Sequence, residues 1–177
     1  MSESRPSPHL PVRKAAARKG VTLEIVEFPE STHTAEEAAR AVDAELGQIV
    51  KSLVFVAPRD DGALQPIIVL VSGSDRVDPA RLAAVTGLPG IRRATAREAH
   101  DLTGFSIGGI PPFGHSSPIP VIMDARLSLH ETIWAAAGTA NAVFASSPVV
   151  LRSLANASVA PVAEDPVRTE PTVEQER

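Results

Sequence analysis

The chain of 177 residues is 44% hydrophobic and 21% charged and has no cysteine, enough for one domain with a real core and excluding disulfides, thiolate nucleophiles and cysteine zinc sites. Its net charge of −4 excludes a protein that coats nucleic acid by charge alone. No apolar run nears the roughly 18 residues of a membrane span, and no apolar stretch follows the basic N-terminus as a secretory signal requires, so the expectation is a cytoplasmic protein with no membrane contact.

Residues 1–9 read as a flexible lead. Leu10 to Lys19 forms a short basic helix stopped by Gly20. Val21 to Phe28 alternates apolar and polar residues, a strand pattern. Thr34 with Glu37 makes a capping box, and the helix it opens runs at helical spacing to Leu46, with Gly47 as its stop. Ile49 to Ala57 and Pro66 to Ser72 are β-rich and flank a Pro58–Gly62 turn, which predicts a hairpin. Asp78-Pro79 starts a helix that ends at Gly87. Ile91 to Arg93 is a short strand, and Thr95 with Glu98 caps a helix ending at Gly104. The stretch from Gly104 to Pro120 is too rich in Gly and Pro for regular structure. Strands follow at Pro120–Met123, Thr132–Ala136 and Ala142–Ala145. Ser147 caps a last helix, and Val159–Val162 adds a strand. The order predicts an α+β domain over 10–163, with a curled, barrel-like mixed sheet and flanking helices. Residues 164–177, with five acidic and two basic side chains, read as a disordered acidic tail.

Lys51 is the most informative residue. Of three lysines in an arginine-rich chain it alone lies outside the first helix. Near the start of an apolar strand, it can act as a compact cation against a carbonyl or phosphate, or snorkel into water. The Gly104–His115 loop combines glycines that allow close backbone approach with prolines that stiffen it, which suits recognition of an aminoacyl group or an oxyanion. It contains a formal G-x-S-x-G at Ser106, but the hydrolase motif needs a strand before the serine and a helix after it. No histidine pair has metal-ligand spacing, so neither metal nor cofactor is expected; His115 is placed to face a pocket.

Thr32-His-Thr-Ala-Glu-Glu-Ala-Ala39, Gly47-Gln-Ile-Val-Lys-Ser-Leu-Val-Phe55, Gly108-Gly-Ile-Pro-Pro-Phe-Gly-His115 and Trp134-Ala-Ala-Ala-Gly138 together resemble the YbaK/ProX family, stand-alone relatives of the editing domain of bacterial prolyl-tRNA synthetases. The resemblance spans roughly residues 10–163. It implies a mixed, barrel-like sheet and metal-independent hydrolysis of mischarged aminoacyl-tRNA in trans. It puts Lys51 on the family's functional lysine, and Gly108, Gly109 and Pro112 in its G-x-x-x-P loop, whose backbone holds the aminoacyl end. Phe28 and Ser52 fall on pocket-lining positions. Ala136 and Val143 stand where cysteine-clearing relatives carry a hydroxyl and an acid, which leaves alanyl, seryl and threonyl groups open beside cysteinyl. The implied partner is aminoacyl-tRNA, with a tRNA synthetase or elongation factor as a transient one, no DNA, and a monomer or weak dimer. In an acidic domain the tRNA must meet a local basic patch. Arg92, Arg93 and Arg97, just before the loop, are favoured over Arg13, Lys14, Arg18 and Lys19. The alternatives are a non-catalytic binder of a tRNA end or protein partner and, further off, a serine esterase using Ser106.

Overall fold

The computed structural model describes residues 6–166. Within them lie helices α1 (Leu10–Arg18), α2 (Ala35–Ala41), α3 (Pro79–Thr86), α4 (Ala96–Thr103) and α5 (Pro148–Ala155). The strands are β1 (Ile25–Glu27), β2 (Ile49–Pro58), β3 (Leu64–Ser72), β4 (Arg92–Arg93), β5 (Val121–Asp124), β6 (Ile133–Ala136), β7 (Ala142–Ser146) and β8 (Ser158–Ala160). They form one mixed sheet in the order β1-β7-β6-β2-β3-β5-β8, with β4 also on β2. The α+β architecture and the β2–β3 hairpin are as the sequence predicts.

The sheet is buried on both faces. Val50 and Val54 point into the larger cluster with Ile68, Leu70 and Phe144. Phe55 points the other way, with Ile67, Val69 and Leu82. Double burial explains why β2 and β3 read as continuous apolar runs rather than alternating ones.

The two edges of β2 are unlike. On one, β3 pairs antiparallel from Val50↔Ser72 to Pro58↔Leu64. On the other, β6 pairs parallel only with Ile49 and Val50, and β4 pairs antiparallel only with Phe55 and Val56. Among the described residues no strand lies beside Lys51, Ser52 and Leu53 on that edge, and the Val54 carbonyl takes its bond from Ala94 N at 2.9 Å.

Two sequence expectations are corrected, and both terminal segments make contacts at their inner ends. Helix α2 ends at Ala41, not near Leu46, because Asp43 takes a left-handed φ of 53° and the Ala44 and Asp43 amides cap Ala39 O and Arg40 O, a Schellman turn without glycine. Strand β1 is only three residues long, since Leu23 O instead accepts from Arg13 Nη1 at 3.0 Å. At the end of the N-terminal lead Pro6 to Pro8 are exposed and His9 is buried, with Nδ1 2.7 Å from Ala137 O and Nε2 2.6 Å from Glu27 Oε1. The start of the acidic tail is also engaged. Glu164 N donates to Arg76 O and Asp165 pairs with Arg81 at 2.8 Å. The rest of both terminal expectations, over residues 1–5 and 167–177, lies outside the described residues.

Candidate functional site

A cavity of about 230 Å³ opens in the gap between β6 and β4. Because strand side chains alternate, Lys51 and Ser52 leave β2 on opposite faces, yet both line this cavity, which runs through the break in the sheet. The wall is otherwise mainly small and aliphatic, including Ala38, Val54, Ala99, Ile110 and Ala142. Ala136 and Val143 also line it and face each other across the β6–β7 register.

The Lys51 ammonium donates to the Asp75 carbonyl at 2.5 Å. Burial pushes its pKa below 10.5, the Asp75 carboxylate opposes that shift, and Arg76 and Arg93 add to it. Asp75 is itself held by Arg126 at 3.2 Å. One carbonyl leaves two ammonium donors for other partners. The Ser52 hydroxyl is buried and has no hydrogen-bond partner, the one such side-chain atom among the described residues. An unpaired buried hydroxyl costs about 1–3 kcal/mol.

The Gly/Pro loop closes the cavity from above. Gly108 lines it with φ 92°. Gly109 lies flat on the 138–140 turn: a Cβ there would come within 2.6 Å of Thr139 Cα, so backbone contact demands glycine. The turn is pinned in its own right. Thr32 N and Oγ1 both donate to Ala140 O, at 2.9 and 2.8 Å. Phe28 N donates to Asn141 O at 2.7 Å, and Asn141 Nδ2 returns a bond to Phe28 O at 3.0 Å.

The predicted site residues therefore divide. Lys51, Ser52, Gly108, Ala136 and Arg93 meet at the cavity. Phe28 does not line it and anchors its rim through the backbone; Pro112 is buried beneath the loop. Gly109 and His115 line a second cavity instead. Arg93 stacks over Phe55 at 5.6 Å from the ring centroid. Arg92 is engaged by Glu98 through two 2.9 Å bonds, which hold that carboxyl at about 2. Arg97 is exposed and 3.9 Å from Asp101. Ser106 follows α4 and Gly104 rather than a strand, and no histidine bonds to it among the described residues. That is not the geometry of a triad serine. Among the described residues no group of three His, Asp or Glu is placed to hold a metal, and no helix is long and apolar enough to cross a membrane.

Sequence reasoning missed Asp75, which acts through a carbonyl that any residue would supply. It also missed Thr139 and Asn141, whose turn gains meaning only once β6 and β7 pair. His33 and Trp134, also in the wall, were visible only within the quoted motifs.

Known proteins place this geometry. The sequence profile of the aminoacyl-tRNA editing domain matches residues 29–154. A proline–tRNA ligase of Limosilactobacillus fermentum is 29% identical over 123 residues, 66% of this chain and 22% of the ligase. The chain thus spans about a fifth of that relative's length. An uncharacterised protein of Bacillus subtilis, YwhH, is 30% identical over 125 residues, covering 71% of this chain and 76% of its own. The crystal structure of a candidate trans-editing enzyme for prolyl-tRNA synthetase superposes with a TM-score of 0.81 at 44% identity, covering 92% of this chain and all of that one.

Proposed function

The chain belongs to the aminoacyl-tRNA editing domain family, and on that premise we propose that it is a trans-editing deacylase. It hydrolyses the ester of a mischarged tRNA bearing a small noncognate residue: alanine, serine, threonine or cysteine. The observation that carries this reading is the pairing, in one small aliphatic cavity, of a half-buried lysine with an orphaned serine hydroxyl.

The aminoacyl ester is already activated, so no protein nucleophile is needed. A water, positioned by the neighbouring ribose hydroxyl, attacks the ester carbonyl; the carbonyl–ribose oxygen bond breaks, the ribose oxygen leaves as a hydroxyl with the water's proton, and the free amino acid is released. Lys51, through its remaining N–H donors, stabilises charge on the tetrahedral intermediate or holds the terminal phosphate. The backbone from Gly108 to Pro112 holds the aminoacyl end. Ala136 and Val143 bound the side-chain space, and Ser52 offers that space its one buried hydroxyl. Bulky residues are excluded by volume, the logic of an editing sieve. Arg93, at the cavity mouth and free of a carboxylate partner among the described residues, meets the phosphate of the acceptor end. Arg97 adds to the same basic shoulder, while Arg92 is already neutralised by Glu98. The domain proper runs over 10–163.

The test is a panel of tRNAs charged with alanine, serine, threonine, cysteine and proline. Rapid deacylation of one small noncognate species, sparing prolyl-tRNA, is the expected result. Stoichiometric binding without turnover of any species would assign the fold to a non-catalytic tRNA-end binder.

A further inference from the structure

The cations of this acidic chain fall into two groups. Arg59, Arg81, Arg92, Arg97 and Arg126 each face a carboxylate at 2.8–3.9 Å. Arg13, Lys14, Arg18 and Lys19, in and just after α1, and Arg152 of α5 face none among the described residues. Residues 4–23 hold five Lys or Arg and no Asp or Glu, in a chain whose net charge is −4. Lys14 and Arg18 stand one turn apart, a like-charge pair that weakens an isolated helix.

Helix α1 holds these charges in a row. Val12 and Ala16 are fully buried, which turns Arg13, Lys14, Ala17 and Arg18 outward, all of them exposed. Both ends of the row are anchored. At its start the α1 backbone lies against the Gly/Pro loop: a Cβ on Gly114 would come within 3.1 Å of Pro11 O. At its end Lys19 Nζ donates to Ser153 O and, at 2.8 Å, to Asn156 Oδ1, which brings the chain at Arg152 to the far end of the row. Arg13 is steadied by one bond to Leu23 O and keeps further N–H donors. The nine residues of α1 span about 13 Å. A duplex strand carries a phosphate about every 3.4 Å, so this length meets about four phosphates, matching the four cations from Arg13 to Lys19.

The row thus begins at the loop that closes the acyl cavity and leads away from it over the surface. In an aminoacyl-tRNA the ester sits at a single-stranded 3′ end, and the phosphates of a duplex follow. We infer that the outer face of α1, extended by Arg152, is the docking surface for that duplex and holds the phosphates of one strand while the ester lies in the cavity. This rests on the deacylase reading and goes beyond it. Phosphate contacts carry no base information, so α1 supplies an affinity common to tRNAs of different sequence, and the choice of acyl group stays with the cavity.

The test is equilibrium binding of the full chain to two uncharged RNAs over a range of salt. One is an acceptor-stem hairpin with its single-stranded 3′ end; the other is that single-stranded end alone. The double variant Lys14→Gln, Arg18→Gln removes two charges from the row. The double variant Arg40→Gln, Arg59→Gln removes two exposed charges elsewhere, and Lys14→Arg, Arg18→Lys keeps the charge of the row. With thermal melts showing all three folded, the α1 variant is expected to raise the Kd for the hairpin about tenfold at low salt. It should also lower the slope of log affinity against log salt by about two. The single-stranded end, the charge-keeping variant and the Arg40, Arg59 variant should stay within a factor of two of wild type. An unchanged slope in the α1 variant, an equal loss in the Arg40, Arg59 variant, an equal loss on the single-stranded end, or a wild type that does not bind the hairpin would each overturn the surface. Binding of uncharged RNA needs no turnover, so the surface is decided even where no charged tRNA is hydrolysed. Hydrolysis by a chain whose α1 variant binds the hairpin normally would refute the surface and leave the deacylase reading standing.

Discussion

The two edges of β2 divide the labour of the molecule. The edge facing β3 is paired along nearly its whole length and flanked by side chains such as Ile68 and Val69 that are fully buried. The opposite edge is paired at both ends and open in the middle, and Lys51 and Ser52 sit in that opening. A continuous strand there would have satisfied the sheet and left no cavity. The same ten residues thus serve the core through one edge and line a cavity through the other, and substitutions should separate the two roles.

Lys51→Ala should make the largest difference. Deacylation should fall by about 10²–10³, while the melting temperature holds, since a half-buried ammonium bonded to one carbonyl adds little to the fold. Lys51→Arg should recover only part, because the guanidinium is larger and planar. Single-turnover assays with thermal melts check this; wild-type rates in a folded Lys51→Ala protein would remove the open edge from the mechanism. Ile68→Ala, on the paired edge, should show the reverse. It should lose about 2–5 kcal/mol of stability in denaturant melts, with the rate per folded molecule nearly unchanged.

Ser52→Ala sharpens the contrast at one atom. Removing an orphaned hydroxyl should leave the empty protein equally or slightly more stable, by up to about 1–3 kcal/mol. It should also lower any preference for seryl- over alanyl-tRNA, by about tenfold in relative kcat/KM. A loss of stability in Ser52→Ala would mean that the hydroxyl has a partner. The smallest effect concerns Arg92 and Glu98, away from the opening. Glu98 titrates at about 2, below its ordinary 4.5, chiefly because Arg92 donates to it. Its contribution to stability is therefore complete above about 4.5 and is lost as pH falls toward 2. Arg92→Ala should flatten that acid limb of the melting-temperature profile and leave the neutral-pH deacylation rate unchanged.

Most of the local structure was legible in the chain. The caps at Thr34, Asp78, Thr95 and Ser147 all form, because capping depends on residues three apart. The β2–β3 hairpin followed from a turn between two apolar runs. The open edge was not legible. It arises because β6, from near the end of the chain, and β4, from its middle, reach β2 in registers that stop short of each other, and no local pattern encodes where two distant strands stop. Lys51 stood out in spite of this, since a single lysine on an apolar strand of an arginine-rich chain is conspicuous by type. The role of Ser52 as an orphan was invisible, because satisfaction is a property of all neighbours. The docking of His9 was invisible for a related reason. Its partner is a carbonyl 128 residues along the chain.

That docking has a consequence for the order in which the molecule can assemble. Pro8 lies against Gly138, where a Cβ would come within 2.7 Å of Pro8 O. His9 bonds to a carbonyl 128 residues away, and β1 pairs with β7 through Ile25↔Phe144. At synthesis rates of roughly 5–20 residues per second, the segment around His9 waits several seconds for the surface it closes on. The β2–β3 hairpin can form long before then. The cavity wall at Ala136 and Val143 is completed only in the same late event that docks His9, so a ribosome-bound chain stalled before β6 should hold a hairpin and no closed cavity.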